Sequence, residues 1–419
     1  MPDRKDAEHL DSIDPLAAYR SEFRIADPDL IYVDGNSLGR LPERTIEAVS
    51  RTVAEDWGEG LVRSWHGWID LPASVGDKIA PLIGASPGEV IVGDSTSVNL
   101  YKLAKAALAR SPARRTIVCD TGDFPTDIYI MEGIARDSGC RLARIDPDPV
   151  HGVAAADIEM ACAEYAEDVA LVVLSHVNYR SGAVADMHAI THAAHAGGAM
   201  MLWDLSHSAG SIEIDLGSSG AELAVGCTYK YLNGGPGAPA YMFVRRETQD
   251  SLTQPIWGWF SQQDQFGFAG TYQPATGIRK FLVGTPPILS LVAASEGIVL
   301  VSEAGVPALR AKNIALTEMM IAFFDEQMHE LGLSLASPRD ADKRGSHVSL
   351  SHPDAYRICT TLIDRYRVVP DFRAPDVIRL GVPAIYTRFV DAFDAMDRLA
   401  ALLRAGDHVG SPGERARVT

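Results

Sequence analysis

Short apolar, β-rich runs alternate with helix-like stretches through the first two thirds of this 419-residue chain, and that alternation narrows the fold more than any other feature. Val90-Ile91-Val92 reads as a strand, the turn residues Gly93 to Ser95 follow, and Ser97 to Arg110, rich in Ala, Leu and Lys, reads as a helix. Thr116 to Cys119, Ala170 to Leu174, Ala199 to Trp203 and Ala240 to Val244 continue the strand series, with a helix over Met187 to Ala196 closed by Gly197-Gly198. Buried strands separated by helices predict an α/β fold with a mostly parallel sheet covered on both faces. Past Pro286-Pro287 the pattern lengthens into helices over Ile288 to Ala304 and Ala308 to Gly332, with candidate strands at His347 to Ser351 and Val377 to Leu380. The expected division is a large domain over 56–287, a smaller α+β domain over 288–405, an N-terminal segment over 1–55 packing with the small domain, and a flexible tail over 406–419.

Composition removes several classes. Hydrophobic residues make up 47% and charged residues 22%, enough apolar material for a large core and too much for disorder. With 38 Lys plus Arg against 55 Asp plus Glu, the net charge of -17 repels polyphosphates, so nucleic acid is not an expected partner. The cysteines, Cys119, Cys140, Cys162, Cys227 and Cys359, are odd in number and never paired as CxxC, which fits a reducing cytoplasm. No apolar stretch approaches the length of a membrane span and the N-terminus lacks a signal-like core, so neither membrane nor export is expected. His188, His192 and His195 have near-helical spacing, but no carboxylate or cysteine cluster completes a coordination shell. They read as a solvated helix face, and no metal is expected.

The chemistry concentrates in Cys227-Thr228-Tyr229-Lys230-Tyr231-Leu232-Asn233-Gly234-Gly235-Pro236-Gly237. A lysine before a glycine-rich loop suggests an amine held where backbone approaches a ligand closely, although taken alone Lys230 reads more readily as a solvated side chain. The segment is not a P-loop. Upstream, Asp204 ends the apolar run of Trp203-Asp204-Leu205-Ser206-His207, which places its carboxylate at the ligand-binding edge of a parallel sheet. That pair is what a pyridoxal phosphate enzyme of the aspartate-aminotransferase fold requires: an amine for the aldehyde and a carboxylate for the pyridine nitrogen. Asp94-Ser95-Thr96-Ser97 lies between strand and helix and is either a phosphate cradle or an ordinary helix cap. In Asp123-Phe124-Pro125-Thr126-Asp127, Phe124 either stacks on a planar ring or is a buried residue before a helix-starting proline. Trp257, Trp259, Phe260, Phe266 and Phe268 crowd a segment too irregular for a helix face, which reads as loop aromatics at an interface or site, or as core.

Taken together, Asp34-Gly35-Asn36-Ser37-Leu38-Gly39, Phe124-Pro125-Thr126-Asp127, Trp203 to Gly210 and Thr228 to Gly237 resemble the kynureninase family, and the resemblance spans nearly the whole chain. It implies a homodimeric pyridoxal 5'-phosphate hydrolase of fold type I. Its large domain would hold a mostly parallel seven-stranded sheet, and its active site would lie at the subunit interface. The implied reaction converts L-kynurenine to anthranilate and L-alanine in tryptophan catabolism. By position, Lys230 looks like the Schiff-base lysine, Asp204 the pyridinium partner and Phe124 the stacking ring. Thr96, Ser97, Asp127, Ser175, His207 and Tyr229 look like further cofactor contacts, with Tyr229 also a candidate for proton transfer. Trp259 and Thr285 resemble residues that reach across from the second subunit to the cofactor. Arg379 is similar to the family's arginine for the substrate α-carboxylate, with Asn36, Trp65, Gly284 and Thr285 as further substrate contacts. Trp65 and Gly284-Thr285 follow the bacterial pattern, which implies a preference for kynurenine over its 3-hydroxylated form. The competing readings are another lyase of the same fold, such as a cysteine-desulfurase-like enzyme, and a non-catalytic pyridoxal phosphate-binding paralogue.

Overall fold

A computed structural model of the chain describes residues 3–409. Seven strands form the main sheet: β2 (Val90–Val92), β3 (Thr116–Asp120), β4 (Arg141–Ile145), β5 (Val169–Ser175), β6 (Met200–Asp204), β7 (Leu223–Gly226) and β8 (Tyr241–Val244). Their order is β2-β8-β7-β6-β5-β3-β4. All neighbours pair in parallel except β8, which runs antiparallel between β2 and β7. The reversal of β8 leaves β2, β3, β5, β6 and β7 pointing the same way, so the loops that follow them gather at one edge.

Alternation along the strands explains why both faces are covered. Val90 and Val92 join one apolar cluster with Val172, Leu174, Met201 and Trp203. Ile91 points into another with Leu171, Val173, Leu202 and Val225. Helices Thr96–Arg110 and Pro125–Ser138 pack beside one another on the second of these faces. Met187–Ala196 covers the first.

A four-stranded antiparallel sheet, β12-β13-β10-β9, is built from β9 (Ser334–Leu335), β10 (His347–Ser351), β12 (Asp371–Arg373) and β13 (Val377–Gly381). Its core adds Met320, Phe323 and Phe324 of helix Val306–Gln327 and Phe389, Met396 and Leu399 of helix Phe389–Ala405. The N-terminal segment joins this half: β1 (Ile31–Tyr32) pairs in parallel with β11 (Val368–Val369), and Arg4 meets Asp394 at 3.0 Å. A buried Lys312–Asp14 ion pair at 2.6 Å adds a second tie. Helix Glu43–Arg51 packs instead on Ile288–Ala304.

The second long helix, expected over Ala308 to Gly332, spans Val306–Gln327, because Pro307 fits the first turn, where its missing N–H costs nothing. Among the described residues no single helix is long and apolar enough to cross a bilayer; Ile288–Ala304 and Val306–Gln327 meet at 80° and bury Leu291, Ile298, Leu309 and Leu316. Of the tail over 406–419, 406–409 is a turn after the last helix, and 410–419 lies outside the described residues.

Candidate active site

The loop after β2 is shaped by a buried ion pair. Asp94 adopts a left-handed φ of 53° and its carboxylate receives the Lys102 ammonium at 2.7 Å, which also donates to the Phe281 carbonyl at 2.8 Å. Ser95 then caps helix Thr96–Arg110 by accepting from Val98 N–H at 3.3 Å, so Thr96 and Ser97 occupy the first turn. Free N–H groups and hydroxyls at the start of a 15-residue helix suit a dianionic phosphate. After β3, Phe124 is the N-cap residue of helix Pro125–Ser138, its ring meeting Tyr179 edge-on at 5.4 Å.

These loops enclose a cavity of about 200 Å³ around Lys230. Thr96, Ser97, Phe124, Asp127, Ser175, Asp204, His207 and Tyr229 all line it, together with Thr126 and Ser206. The Lys230 amine lies 3.3 Å from His207 Nε2 and 5.9 Å from the ring centres of both Phe124 and Tyr229. Burial lowers its pKa, with the nearby Cys227 and Asp204 acting in the opposite direction. His207 is pushed well below the usual imidazole range, by burial first and then by Lys230, so it is neutral at physiological pH. The enclosed amine therefore faces a neutral acceptor.

Carboxyl groups collect at the other end. Asp204 closes β6, in register with Ser175 on β5, and its Oδ1 accepts from Ser206 N–H at 2.8 Å. Asp127 is raised well above the normal carboxyl range, chiefly by burial and next by Asp204 and Asp123. It shares a hydrogen bond with Asp204. A carboxyl pair, an amine, an aromatic face and a helix N-terminus around one cavity match the donors and acceptors of pyridoxal phosphate. A larger cavity of about 580 Å³, lined by Pro81, Leu82, His176, Met187 and Val306 among others, presents no lysine.

Close backbone approach holds the lysine loop. Gly39 N–H donates to the Tyr229 carbonyl at 2.8 Å, and a Cβ at Gly39 would stand 2.4 Å from the Lys230 carbonyl oxygen. On the other side, a Cβ at Gly297 of helix Ile288–Ala304 would stand 2.3 Å from the Leu232 oxygen. Each position admits only glycine without displacing the loop.

The remaining sequence-derived residues do not line the cavity. Arg379, wholly buried on β13, donates to the Tyr179 carbonyl at 2.6 Å and to Ser37 Oγ at 2.8 Å, and pairs with Asp371; its Nε has no partner. Its charge is nonetheless felt at Lys230 and His207. Asn36 is fully buried with both ends of its amide unpartnered. Trp65 packs on Trp68 and Phe260, at 5.6 and 5.9 Å between ring centres. Gly284, Thr285 and Trp259 are exposed, whereas Phe260 is core. His347 begins β10 with its ring 6.2 Å from that of His207. Asp123 was passed over, although it opens the stretch that contains Phe124 and Asp127. The helical histidines are on an exposed face, His195 paired with Glu222 at 3.1 Å, and no group of three metal-ligating side chains occurs among the described residues.

Comparison with known proteins agrees with this geometry. A family model described as the kynureninase C-terminal domain matches residues 309–399. Among solved structures, the apo cysteine desulfurase from Thermococcus onnurineus NA1 superposes with a TM-score of 0.77 at 19% identity, covering 95% of this chain and 98% of its own. A C-DES mutant with glycine covalently linked to its PLP cofactor gives 0.78 at 18% identity, covering 96% and 99%. These likenesses show the fold, that of the fold type I pyridoxal phosphate enzymes. A curated kynureninase from Pseudomonas fluorescens is 42% identical over 411 residues, 96% of each chain, and at that identity and coverage the chain belongs to the kynureninase family.

Proposed function

We propose that this chain hydrolyses L-kynurenine to anthranilate and L-alanine with pyridoxal 5'-phosphate bound in the Lys230 cavity. The observation that carries the reading is the buried amine of Lys230, 3.3 Å from a neutral His207, between a helix N-terminus and paired carboxyl groups. Family membership supplies the substrate. When bound, pyridoxal phosphate supplies an aldehyde that bonds amines and a ring that draws electrons from the carbon bearing the substrate amine.

Thr96 and Ser97 would hold the phosphate and Phe124 would pack against the ring. Asp204, with Asp127 beside it, would favour positive charge on the ring nitrogen, and Ser175 and His207 would complete the enclosure. Lys230, its pKa lowered by burial, takes the α-proton and returns one. Arg379 would receive the substrate α-carboxylate through its unpartnered Nε, with Nη2 giving up its Ser37 or Asp371 bond to supply the second parallel donor. Asn36 brings an unpartnered buried amide to the same end. Water adds to the γ-ketone, the Cβ–Cγ bond breaks to release anthranilate, and protonation at Cβ leaves alanine. Tyr229 carries part of that proton traffic. Its hydroxyl stays protonated, with Cys227 the larger cause and burial the next.

The working unit of this proposal is a homodimer in the cytoplasm. Trp257, Trp259, Phe266 and Phe268 are 62%, 43%, 57% and 81% exposed, a density of outward aromatics that suits an interface. Trp259 and Thr285 would then complete the partner's site, with Trp65 and Gly284 near the substrate ring. The test is direct: purified protein with pyridoxal phosphate and L-kynurenine releases fluorescent anthranilate and alanine in equal amounts. Kynurenine consumed without anthranilate, or not consumed at all, overturns the assignment.

A further inference from the structure

We propose that Asp123 is a positioning residue of the cofactor cavity, tying Phe124 to Ser175 across the gap between β3 and β5, and that its charge state sets the pH range in which the tie is tight. Asp123 does not line the cavity, but both residues it joins do. Its Oδ1 accepts from Phe124 N–H at 3.0 Å and from Ser175 Oγ, and its Oδ2 accepts from Ser175 N–H at 3.1 Å. One carboxylate thus fixes the residue that faces the cofactor ring and the strand end beside Asp204.

The groups facing it are mostly acidic: Cys119 and Asp120 on β3, the strand that precedes its loop, Asp127 on the next helix, Asp204 at the end of β6, and Tyr179 beyond β5. Among the described residues it takes part in no ion pair, and it is 4% exposed. Burial lifts its carboxyl to about 7, against the Ser175 and Phe124 hydrogen bonds that favour ionisation. The ionised form accepts all three bonds. The protonated form must spend one oxygen as a donor, which reverses the Ser175 hydroxyl or releases it.

The sign of the stability effect follows. The folded pKa of about 7 lies above the reference value of 3.8, so this group's contribution is fully present below about pH 4 and is lost as pH rises through 7. Cofactor positioning therefore improves over the range in which this one group's contribution to apoprotein stability declines. A merely structural residue would move both together.

The test uses full-length apoprotein, the Asp123→Asn variant and added pyridoxal phosphate, at pH 5.5 and pH 8. Asparagine keeps the shape and one acceptor but cannot ionise. Cofactor affinity is expected to match wild type within about twofold at pH 5.5 and to fall about tenfold below it at pH 8, the loss of a charge-assisted bond. Between those pH values the apoprotein Tm of Asp123→Asn should gain about 2 °C or more relative to wild type. Ser175→Ala, which removes the hydroxyl from the other side, should show the same pH-dependent loss of cofactor at smaller size. A wild-type to variant ratio unchanged by pH, or full affinity in Ser175→Ala at pH 8, overturns the proposal. It rests on the cofactor reading, but none of these measurements needs kynurenine turnover, so failure of the substrate assignment remains separately visible.

Discussion

The carboxyl edge of the large sheet and the segment 251–287 handle their functional side chains in opposite ways. At the sheet edge, loops after β2, β3, β5, β6 and β7 turn inward, and a single chain brings Thr96, Phe124, Asp204 and Lys230 around one cavity. In 251–287, Trp257, Trp259, Phe266 and Phe268 turn outward, while Phe260 and Phe281 reach the core with Leu252, Ile278 and Leu282. The difference lies in what each region has to meet. A small polar cofactor is matched by buried donors on strand ends, whereas a second protein surface is matched by exposed aromatic area. In the proposed reading the cofactor cavity is built largely from one chain, and the substrate-ring end would be completed by a second copy of it.

The largest expected effect breaks the inward half. Lys230→Ala should lower turnover by at least about 10³-fold, since no other lysine lines the cavity to carry the amine exchange and proton transfer. Anthranilate fluorescence reads the loss, and the visible absorption of lysine-bound cofactor should vanish with it. Retained activity at the wild-type level would remove Lys230 from the chemistry. Asp204→Asn comes next. An amide cannot oppose a protonated ring nitrogen, and electrostatic groups of this kind are worth about 100-fold in kcat. Equilibrium dialysis should find the cofactor still bound; a kcat within a few-fold of wild type would assign the ring nitrogen to another carboxyl, with Asp127 the nearest candidate.

The outward half is broken more gently. Trp259→Ala removes an indole that is 43% exposed and packed edge-on against Phe260 at 4.7 Å. Such a change should cost the dimer about 1 to 2 kcal/mol and lower kcat/KM about tenfold at concentrations where wild type stays associated. Light scattering under assay conditions decides it: a fully active monomer would show that each chain completes its own site.

Which parts were legible in the sequence follows the same division. Strands buried on both faces, such as Val169–Ser175, are nearly continuous apolar runs and were readable. Arg141–Ile145 was not, because as an edge strand it carries two arginines and exposes most of its length. Leu223–Gly226 was not legible either, because its Ala and Gly are weak strand formers, unlike the β-branched Val90–Val92 of similar length. The reversed placement of β8 is a pairing property that no single strand announces. At the site, motif residues that point into the cavity carry chemistry recognisable by type. Asp123 and His347 lie behind it, and only the packed structure places them there. Arg379 stands out only through the family resemblance, and its pairing with Asp371 depends on the antiparallel register of β12 and β13, which the sequence does not display.

The smallest expected effect sharpens the boundary between the two halves. Trp65 is half-buried against Trp68 and Phe260 and does not line the Lys230 cavity of its own chain. If it meets the aromatic ring of kynurenine, it does so across the interface, along with the exposed Gly284 and Thr285. An indole offers a 3-hydroxyl on that ring no acceptor, and a buried hydroxyl left without a partner costs about 1 to 3 kcal/mol. The Thr285 hydroxyl can recover part of this, which sets the expected preference for L-kynurenine over 3-hydroxy-L-kynurenine at about fivefold or more in kcat/KM. Trp65→His, which restores an acceptor, should narrow the ratio without changing cofactor affinity. Equal kcat/KM for the two substrates in wild type would detach Trp65 from the substrate ring while leaving the inward half of the site as it stands. A ratio that survives Trp65→His would place the discrimination on Gly284 and Thr285 instead.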